Sequence, residues 1–368
     1  MATNHDISIY IDGIMLTEEN SNVYSLDIEE SFVLEIPKLN LFVALSGPFL
    51  VNVPILDGSL IEIRFNNHLS KKGTEVWLFK VFHFDAMGSG QGTSIEYRIT
   101  AYHKSLWDLS CLEDESYNSN SSDVFKRIAD KTNMLSSVDE TLDKQVWFTL
   151  EGNRLNFLRD VCRHAYANKY STYVWWVSKN NTLHFKNIIS RIQEKPSARI
   201  QETNDTVNVS GDYVPVTNVT YAIESGTNNF YFGYGNNALY YDALKENNNL
   251  LYPREFMINA GKVNVNADAK NQGWLDFGIN TGNTHANYEL AAIQNKRSLA
   301  LWSTIVTCID TFLFPMEVGD CVQFNFKLDG ITDFKLYSGR YLIAGIKLAI
   351  DSRNSPVNKL TLIRQGVS

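Results

Sequence analysis

Apolar and polar positions alternate along the opening stretch of the chain. Ile7, Ile9 and Ile11 take turns with Ser8, Tyr10 and Asp12, and Asp12-Gly13 then supplies a tight turn. Asp57-Gly58 precedes a run in which Ile61, Ile63 and Phe65 point one way and Glu62 and Arg64 the other. Residues 76–85 are mostly apolar and carry Trp77, Phe79, Phe82 and Phe84. Past the glycine-rich 88–92, Ile95, Tyr97, Ile99 and Ala101 alternate with Glu96, Arg98 and Thr100. A period of two sends successive side chains to opposite faces of a strand. Residues 1–110 are therefore expected to form an antiparallel β unit, a small barrel.

The period changes after Trp107. A polar Asn/Ser linker at 117–122 leads to an expected helix capped by Ser121 or Ser122, with Val124, Phe125, Ile128 and Ala129 on one face. Asn153 is expected to cap a second helix over 154–167, whose stripe is Leu155, Leu158, Val161, Cys162 and Ala165 and whose left-handed stop is Asn168. Residues 173–177 and 183–185 flank Ser178-Lys179-Asn180-Asn181 and read as a hairpin, so 111–205 is a small α+β domain. A strand follows at 214–223, then a Gly/Asn/Tyr-rich insertion at 226–289 and a helix over 287–303. Strands return at 322–326, 341–350 and 360–364, and the second barrel is expected to combine 206–225 with 290–368.

Composition narrows the classes. The 368 residues are 44% apolar and 12% aromatic, too rich in core-forming side chains for a disordered chain. A formal charge of −8 and the lack of any basic run argue against a stand-alone nucleic-acid binder. The N-terminal residues have no basic and apolar regions of a secretory signal. Residues 39–56 carry no charge, yet Gly47, Pro48 and Pro54 make a lipid-spanning helix untenable. That segment is expected to be buried or interfacial β and loop structure. Cys111, Cys162, Cys308 and Cys321 are scattered without a CxxC pair and read as buried thiols in a reducing compartment.

Catalytic signatures are weak. The loop Gly88-Ser89-Gly90-Gln91-Gly92 lacks the Lys and the following helix of a phosphate cradle, so it reads as a hairpin connection. His83 and His103 could meet across a sheet, but two ligands make no zinc site, and Cys162 and His164 diverge on a helix. Glu113, Asp114 and Glu115 read as a solvated acidic loop. Trp175 and Trp176 are adjacent in a strand, so one is expected in the core and one at the surface. No catalytic, cofactor-binding or metal-binding residue is expected.

Two blocks carry a family resemblance. The first is VWFTLEGNRLNFLRD at 146–160, running on to the aromatic hairpin that ends TLHFKN. It resembles the small α+β module of phage baseplate hub proteins. The second, FPMEVGDCV at 314–322 followed by SGRYLI at 338–343 and LTLIRQG at 360–366, resembles the signature of the second hub barrel. The helix DVFKRIADKTN at 123–133 and the entry at 297–308 also fit. The sequence departs from the pattern where Met316-Glu317-Val318 separates Pro315 from Gly319, and where Asn168-Lys169 replaces a helix-ending Gly.

The chain is thus similar to the central hub of contractile-tailed phages and to the hub portion of type VI secretion spikes. The resemblance implies an α+β, mainly β fold: two tail-tube-like antiparallel β-barrels with a small α+β insertion and a further irregular insertion. It implies a homotrimer, a ring of six barrels joining a six-fold tail tube to a three-fold spike, through which genomic DNA passes without specific binding. The expected partners are the tail tube protein, other baseplate proteins and a separate spike chain, since the chain is expected to end at the hub. The expected place is the virion tail, after assembly in the host cytoplasm, with no membrane insertion, cofactor or enzymatic activity. The uncharged 39–56 segment gains a role, with Phe42, Leu45, Phe49 and Leu50 as candidate subunit-interface residues. The rivals are a receptor- or carbohydrate-binding tail protein, on the Trp pair and the Tyr/Asn/Gly-rich 226–285, and a peptidoglycan hydrolase using carboxylates such as Glu113 or Glu151.

Overall fold

The alternation at the start of the chain becomes a curled antiparallel sheet. A computed structural model describes residues 5–67, 73–88, 94–149, 152–168, 171–203, 213–223, 301–302, 304–311, 313–328, 337–351 and 354–364, with strand pieces at 238–242, 247–251, 275–276 and 332–333. The strands are β1 (His5–Ile11), β2 (Ile14–Met15), β3 (Ser21–Ser31), β4 (Lys38–Ser46), β5 (Leu60–Asn67), β6 (Thr74–Gly88) and β7 (Ser94–His103), in spatial order β3-β4-β7-β6-β5-β1-β2. Asp12 and Gly13 both have positive φ, 45° and 84°, the geometry of a two-residue turn that follows the strand twist. Ile9, Ile11, Ile61, Ile63, Trp77, Phe79, Val81, Ile99 and Ala101 fill one core. β6 and β7 pair from Phe79–His103 to Gly88–Ile95, and the connection expected at 88–92 lies, after Gly88, outside the described residues.

The uncharged 39–56 segment holds a helix where strand and loop were expected. β4 ends at Ser46, and α1 (Gly47–Asn52) begins. Ser46 Oγ accepts the Phe49 N–H at 3.4 Å, and Pro48 sits in the first turn, where its missing N–H costs nothing.

The α+β module contains α2 (Ser105–Leu109), β8 (Ser116–Ser119), α3 (Ser121–Lys131), β9 (Leu135–Val138), β10 (Gln145–Phe148), α4 (Arg154–His164), β11 (Tyr173–Val177), β12 (Thr182–Asn187) and α5 (Ile188–Gln193). Neither Ser121 nor Ser122 caps α3. Asn120 is the N-cap, and the Ser121 and Ser122 N–H groups donate to Asp143 Oδ1 and Thr141 Oγ1 at 2.9 and 3.0 Å. The cap comes from a distant loop, which no local pattern announces. Asn153 does cap α4, accepting the Asn156 N–H at 2.9 Å. The helix stops at His164 because Ala165 turns extended (φ −65°, ψ 140°), so Asn168 is not its stop. The hairpin β11–β12 forms with Asn181 left-handed at φ 58°, and β9 adds to β12 in parallel.

The rest of the described chain builds a closed barrel. Its strands are β13 (Ala198–Glu202), β14 (Val214–Ile223), β18 (Thr304–Asp310), β19 (Cys321–Asn325), β22 (Gly339–Asp351) and β23 (Asn354–Arg364). Between them lie the pieces β15 (Ala238–Asp242), β16 (Asn247–Leu251), β17 (Leu275–Asp276), β20 (Lys327–Leu328) and β21 (Thr332–Asp333). The ring runs β19-β13-β14-β18-β23-β22 and closes where β22 pairs with β19. β13 pairs in parallel with both β14 and β19. It is a barrel strand, so the module ends before Ala198, ahead of the expected boundary at 205. The helix expected over 287–303 lies outside the described residues except for Leu301 and Trp302.

One pairing turns two units into one sheet. β3 runs antiparallel to β22 from Ser31–Gly345 to Ser25–Asp351, making a continuous thirteen-stranded sheet. From Tyr341 to Ile346, β22 is apolar without alternation because both its faces are covered there. Tyr341, Ile343 and Ile346 enter the barrel core, whereas Leu342 and Ala344 meet Ile188, Ile189 and Ile192 of α5 outside.

Candidate functional site: the outer faces of the joined sheet

Across the seam the strand registers align outward side chains in rows. One row reads Val357, Ala349, Asp27, Asn40, Thr100 and His83; the next reads Lys359, Lys347, Glu29, Lys38, Tyr102 and Lys80. Lys347 Nζ lies 2.9 Å from Asp27 Oδ2, and Thr100 Oγ1 donates to Asn40 Oδ1 at 3.3 Å. Charges of both signs are interspersed, with Lys38, Lys80, Lys347 and Lys359 near Asp27 and Glu29. The two rows carry four lysines against two carboxylates, and they run unbroken from one barrel to the other.

The four expected interface residues divide. Leu45 and Phe49 are 0% and 5% exposed, taken by the first barrel's own core, because alternation on β4 and the inner side of α1 turns them inward. Leu50 is partly buried against the same core. Phe42 faces outward, 4.6 Å from Tyr24 between ring centroids and beneath the Arg98 guanidinium at 5.4 Å. Val51, next to Leu50, is 84% exposed, while Val33 at 70% and Phe82 at 57% lie toward the Lys38 end of β4. Phe82 sets its ring edge-on to Tyr102 at 5.3 Å.

The acidic triplet divides: Glu113 and Asp114 are exposed, as a solvated loop requires, and Glu115 is not. Glu115 is buried, and Arg154 Nε donates to its Oε1 at 2.8 Å while Lys131 Nζ lies 3.3 Å away and the Tyr117 hydroxyl donates to the other oxygen. Arg154 also reaches Glu113 and, at 3.3 Å, the Asp108 carbonyl. Burial alone would raise the Glu115 pKa, but the hydrogen bonds from Tyr117, Arg154 and Lys131 together hold it below the ordinary carboxylate value. The cluster ties α3 and α4 to β8. Its acid is fully ion-paired, which does not suit a proton donor for glycoside cleavage.

The adjacent tryptophans are both buried, each in a different core. Trp175 packs inside the module with Phe125 and Phe185, and Trp176 fills the core of the second barrel. No surface Trp results, because β11 is covered on both faces. His83 and His103 do not meet: the partner of His83 is Thr100, and that of His103 is Phe79. Burial first, then Lys104, pushes His103 down to about 3, and its Nδ1 lies 2.9 Å from Ser105 Oγ. Burial pushes the Cys308 thiol up to about 12 and the Cys162 thiol upward as well; Cys111 is exposed. Among the described residues no group of three or more His, Cys, Asp or Glu is placed to hold a metal ion, and no helix is long and apolar enough to cross a membrane.

Sequence reasoning missed the junction where the module meets both barrels. Glu30 lies on the inward parity of β3, after Leu26 and Ile28, and is 5% exposed. Its Oε2 accepts the Lys179 N–H at 3.1 Å from the β11–β12 turn. A carboxylate at a core position of an alternating strand was the available signal.

No protein-family model matches the chain, and no curated protein matches it in sequence. The likeness is in three dimensions. The 43 kDa tail protein of prophage MuSo2 from Shewanella oneidensis superposes with a TM-score of 0.63 at 10% identity, covering 99% of this chain and 100% of that one. A tail protein from Neisseria meningitidis MC58 gives 0.60 at 10% identity, over 99% and 98%. An Escherichia coli component of the type VI secretion system, described as similar in structure to the T4 tail proteins gp27 and gp5, gives 0.55 at 10% identity, over 97% and 76%. The chain has the mostly β fold of phage tail proteins and type VI spike proteins, from end to end.

Proposed function

We propose that this chain is a structural hub of a contractile tail or a related injection device. It assembles as a trimer whose six β units form a ring, joins a six-fold tube to a three-fold spike, and leaves an axial opening for DNA. The observation that carries this reading is the continuous β3–β22 sheet. It joins two β units in one sheet, the third of a six-unit ring that one subunit of a trimer supplies, and the matches with phage tail proteins cover 99% of the chain.

The subunit contacts belong on the apolar surface of the first barrel, at Phe42, Leu50 and the neighbouring exposed Val51, with Leu45 and Phe49 supporting it from beneath. The partners are the tube protein and a spike, in the virion tail, with no chemical step assigned. The burial of Trp175 and Trp176 removes one of the two grounds of a carbohydrate-binding reading; the other, 226–285, lies outside the described residues apart from short strand pieces. Light scattering on the purified chain should give three times 41.8 kDa, by itself or once spike protein is added. A mass that stays at one chain under both conditions, at high micromolar concentration, would sink the trimer.

A further inference from the structure

Along 141–148, buried and exposed positions alternate with the usual polarity reversed. Thr141, Asp143 and Trp147 face inward and are buried, whereas Leu142, Val146 and Phe148 face outward and are 72%, 58% and 61% exposed. Hydrogen bonds hold the inward places. Asp143 accepts the Ser121 and Tyr166 N–H groups at 2.9 and 2.8 Å, and Thr141 Oγ1 accepts that of Ser122 at 3.0 Å. The Trp147 indole N–H donates to the Ser119 carbonyl at 2.9 Å. A slip of one residue would turn Lys144 inward and strip these acceptors from the start of α3. The strand's own register therefore fixes the apolar residues on the outside.

The same strand leaves an edge open. Among the described strands β10 pairs with β8 alone. The Thr149 N–H donates to the Glu115 carbonyl at 3.0 Å, and the register sets Trp147 opposite Tyr117 and Gln145 opposite Ser119. Bonded and non-bonded pairs alternate along an antiparallel ladder, so these odd-numbered residues turn their N–H and C=O groups toward β8. Those of Val146 and Phe148 point to the other edge. Past Lys144 that edge is closed, because the Leu142 N–H donates to the Tyr166 carbonyl at 2.7 Å. On β8 the neighbours of Val146 and Phe148 are the exposed polar residues Asn118 and Ser116, so the apolar row borders the open edge. Natural sheets guard such edges with charge, proline or a bulge, and here the outward guard is Lys144.

We propose that β10 is a docking edge for an extended segment of a partner protein, which adds as a further strand with apolar side chains beside Val146 and Phe148 and a carboxylate facing Lys144. Strand addition satisfies the outward backbone groups and covers the row from its open flank. A second copy of this strand is the poorer occupant by charge. β10 against β10 offers Lys144 only Leu142, Lys144, Val146 and Phe148, with no acid among them. The carboxylate comes from another sequence. The edge lies on the α+β module, so the proposal does not depend on the assembly described above.

The probe is the synthetic peptide Val-Thr-Val-Thr-Glu-Thr-Val-Thr-Val, added to the full chain and followed by fluorescence anisotropy and hydrogen exchange. Saturable binding is expected, with protection gained over 144–149. Val146→Thr combined with Phe148→Thr should weaken binding about tenfold, through the loss of two cross-strand apolar contacts. Lys144→Glu should weaken it about threefold and prefer the peptide that carries lysine in place of glutamate. All three positions are exposed, so the urea midpoint should stay unchanged in each variant. The docking edge is overturned if neither peptide binds the wild type up to about 1 mM. It is equally overturned by binding that the double variant leaves intact, by protection that bypasses 144–149, or by a Lys144→Glu variant indifferent to the charge swap. Light scattering in which the double variant loses an oligomer formed by the wild type would assign the edge to a second copy and refute the foreign strand.

Discussion

Arg154→Met should lower the folding free energy by about 3–5 kcal/mol, the cost of removing one partner from a buried ion pair. The Arg154 side chain is 8% exposed and that of Glu115 is 2%, so water cannot take over the lost contacts. Glu115 would keep Lys131 and Tyr117 but lose its 2.8 Å bond to the guanidinium, and the Asp108 carbonyl would lose a donor. Urea unfolding with an unchanged slope gives the number. Because Glu115 is held below its ordinary value, its contribution is present above that value and fades as the pH falls further. The variant should show a weakened acid limb of the same sign. Adding Glu115→Leu should recover part of the loss, since an apolar pair leaves no stranded charge. A cost under about 1 kcal/mol, the range of exposed pairs, would mean the cluster is solvated after all.

Trp176→Ala should cost about 3–5 kcal/mol, the range for emptying a large aromatic site in a core. The residue belongs to a module strand, yet the cavity would open in the second barrel among Phe324, Tyr341 and Val318. The defect should therefore appear as weaker protection of barrel amides as well as of the hairpin. A surface platform for sugars would predict the reverse, with unchanged stability and lost glycan binding. Calorimetry or urea unfolding separates the two.

What the sequence made legible was whatever has a local cause. Period-two patterning located β1, β5, β6 and β7, the Asn153 side chain marked the start of α4, and the four residues after Val177 marked a hairpin. What it hid was set by distant partners. Asp143 and Thr141 cap α3 from another loop, and β13 closes a barrel by pairing in parallel with β19, more than a hundred residues along the chain. The short helix α1 was masked by its apolar residues, with Ser46 and Pro48 as the overlooked signals. Alternation also led to the expectation of one surface Trp, and it failed because both faces of β11 are covered. The candidate assembly face was only partly readable. Phe42 points outward, whereas Leu45 and Phe49 follow the same apolar logic inward, and charge-free sequence alone does not distinguish a core from a contact.

The most direct test of a ring-forming hub is electron cryomicroscopy of the purified chain, alone or with its tube protein. The account predicts particles with three-fold symmetry, six β lobes and an open axial channel lined by the Asp27, Lys347 and Lys359 rows. Two-lobed particles without that symmetry, or a ring whose axis is closed by the barrels, would contradict it.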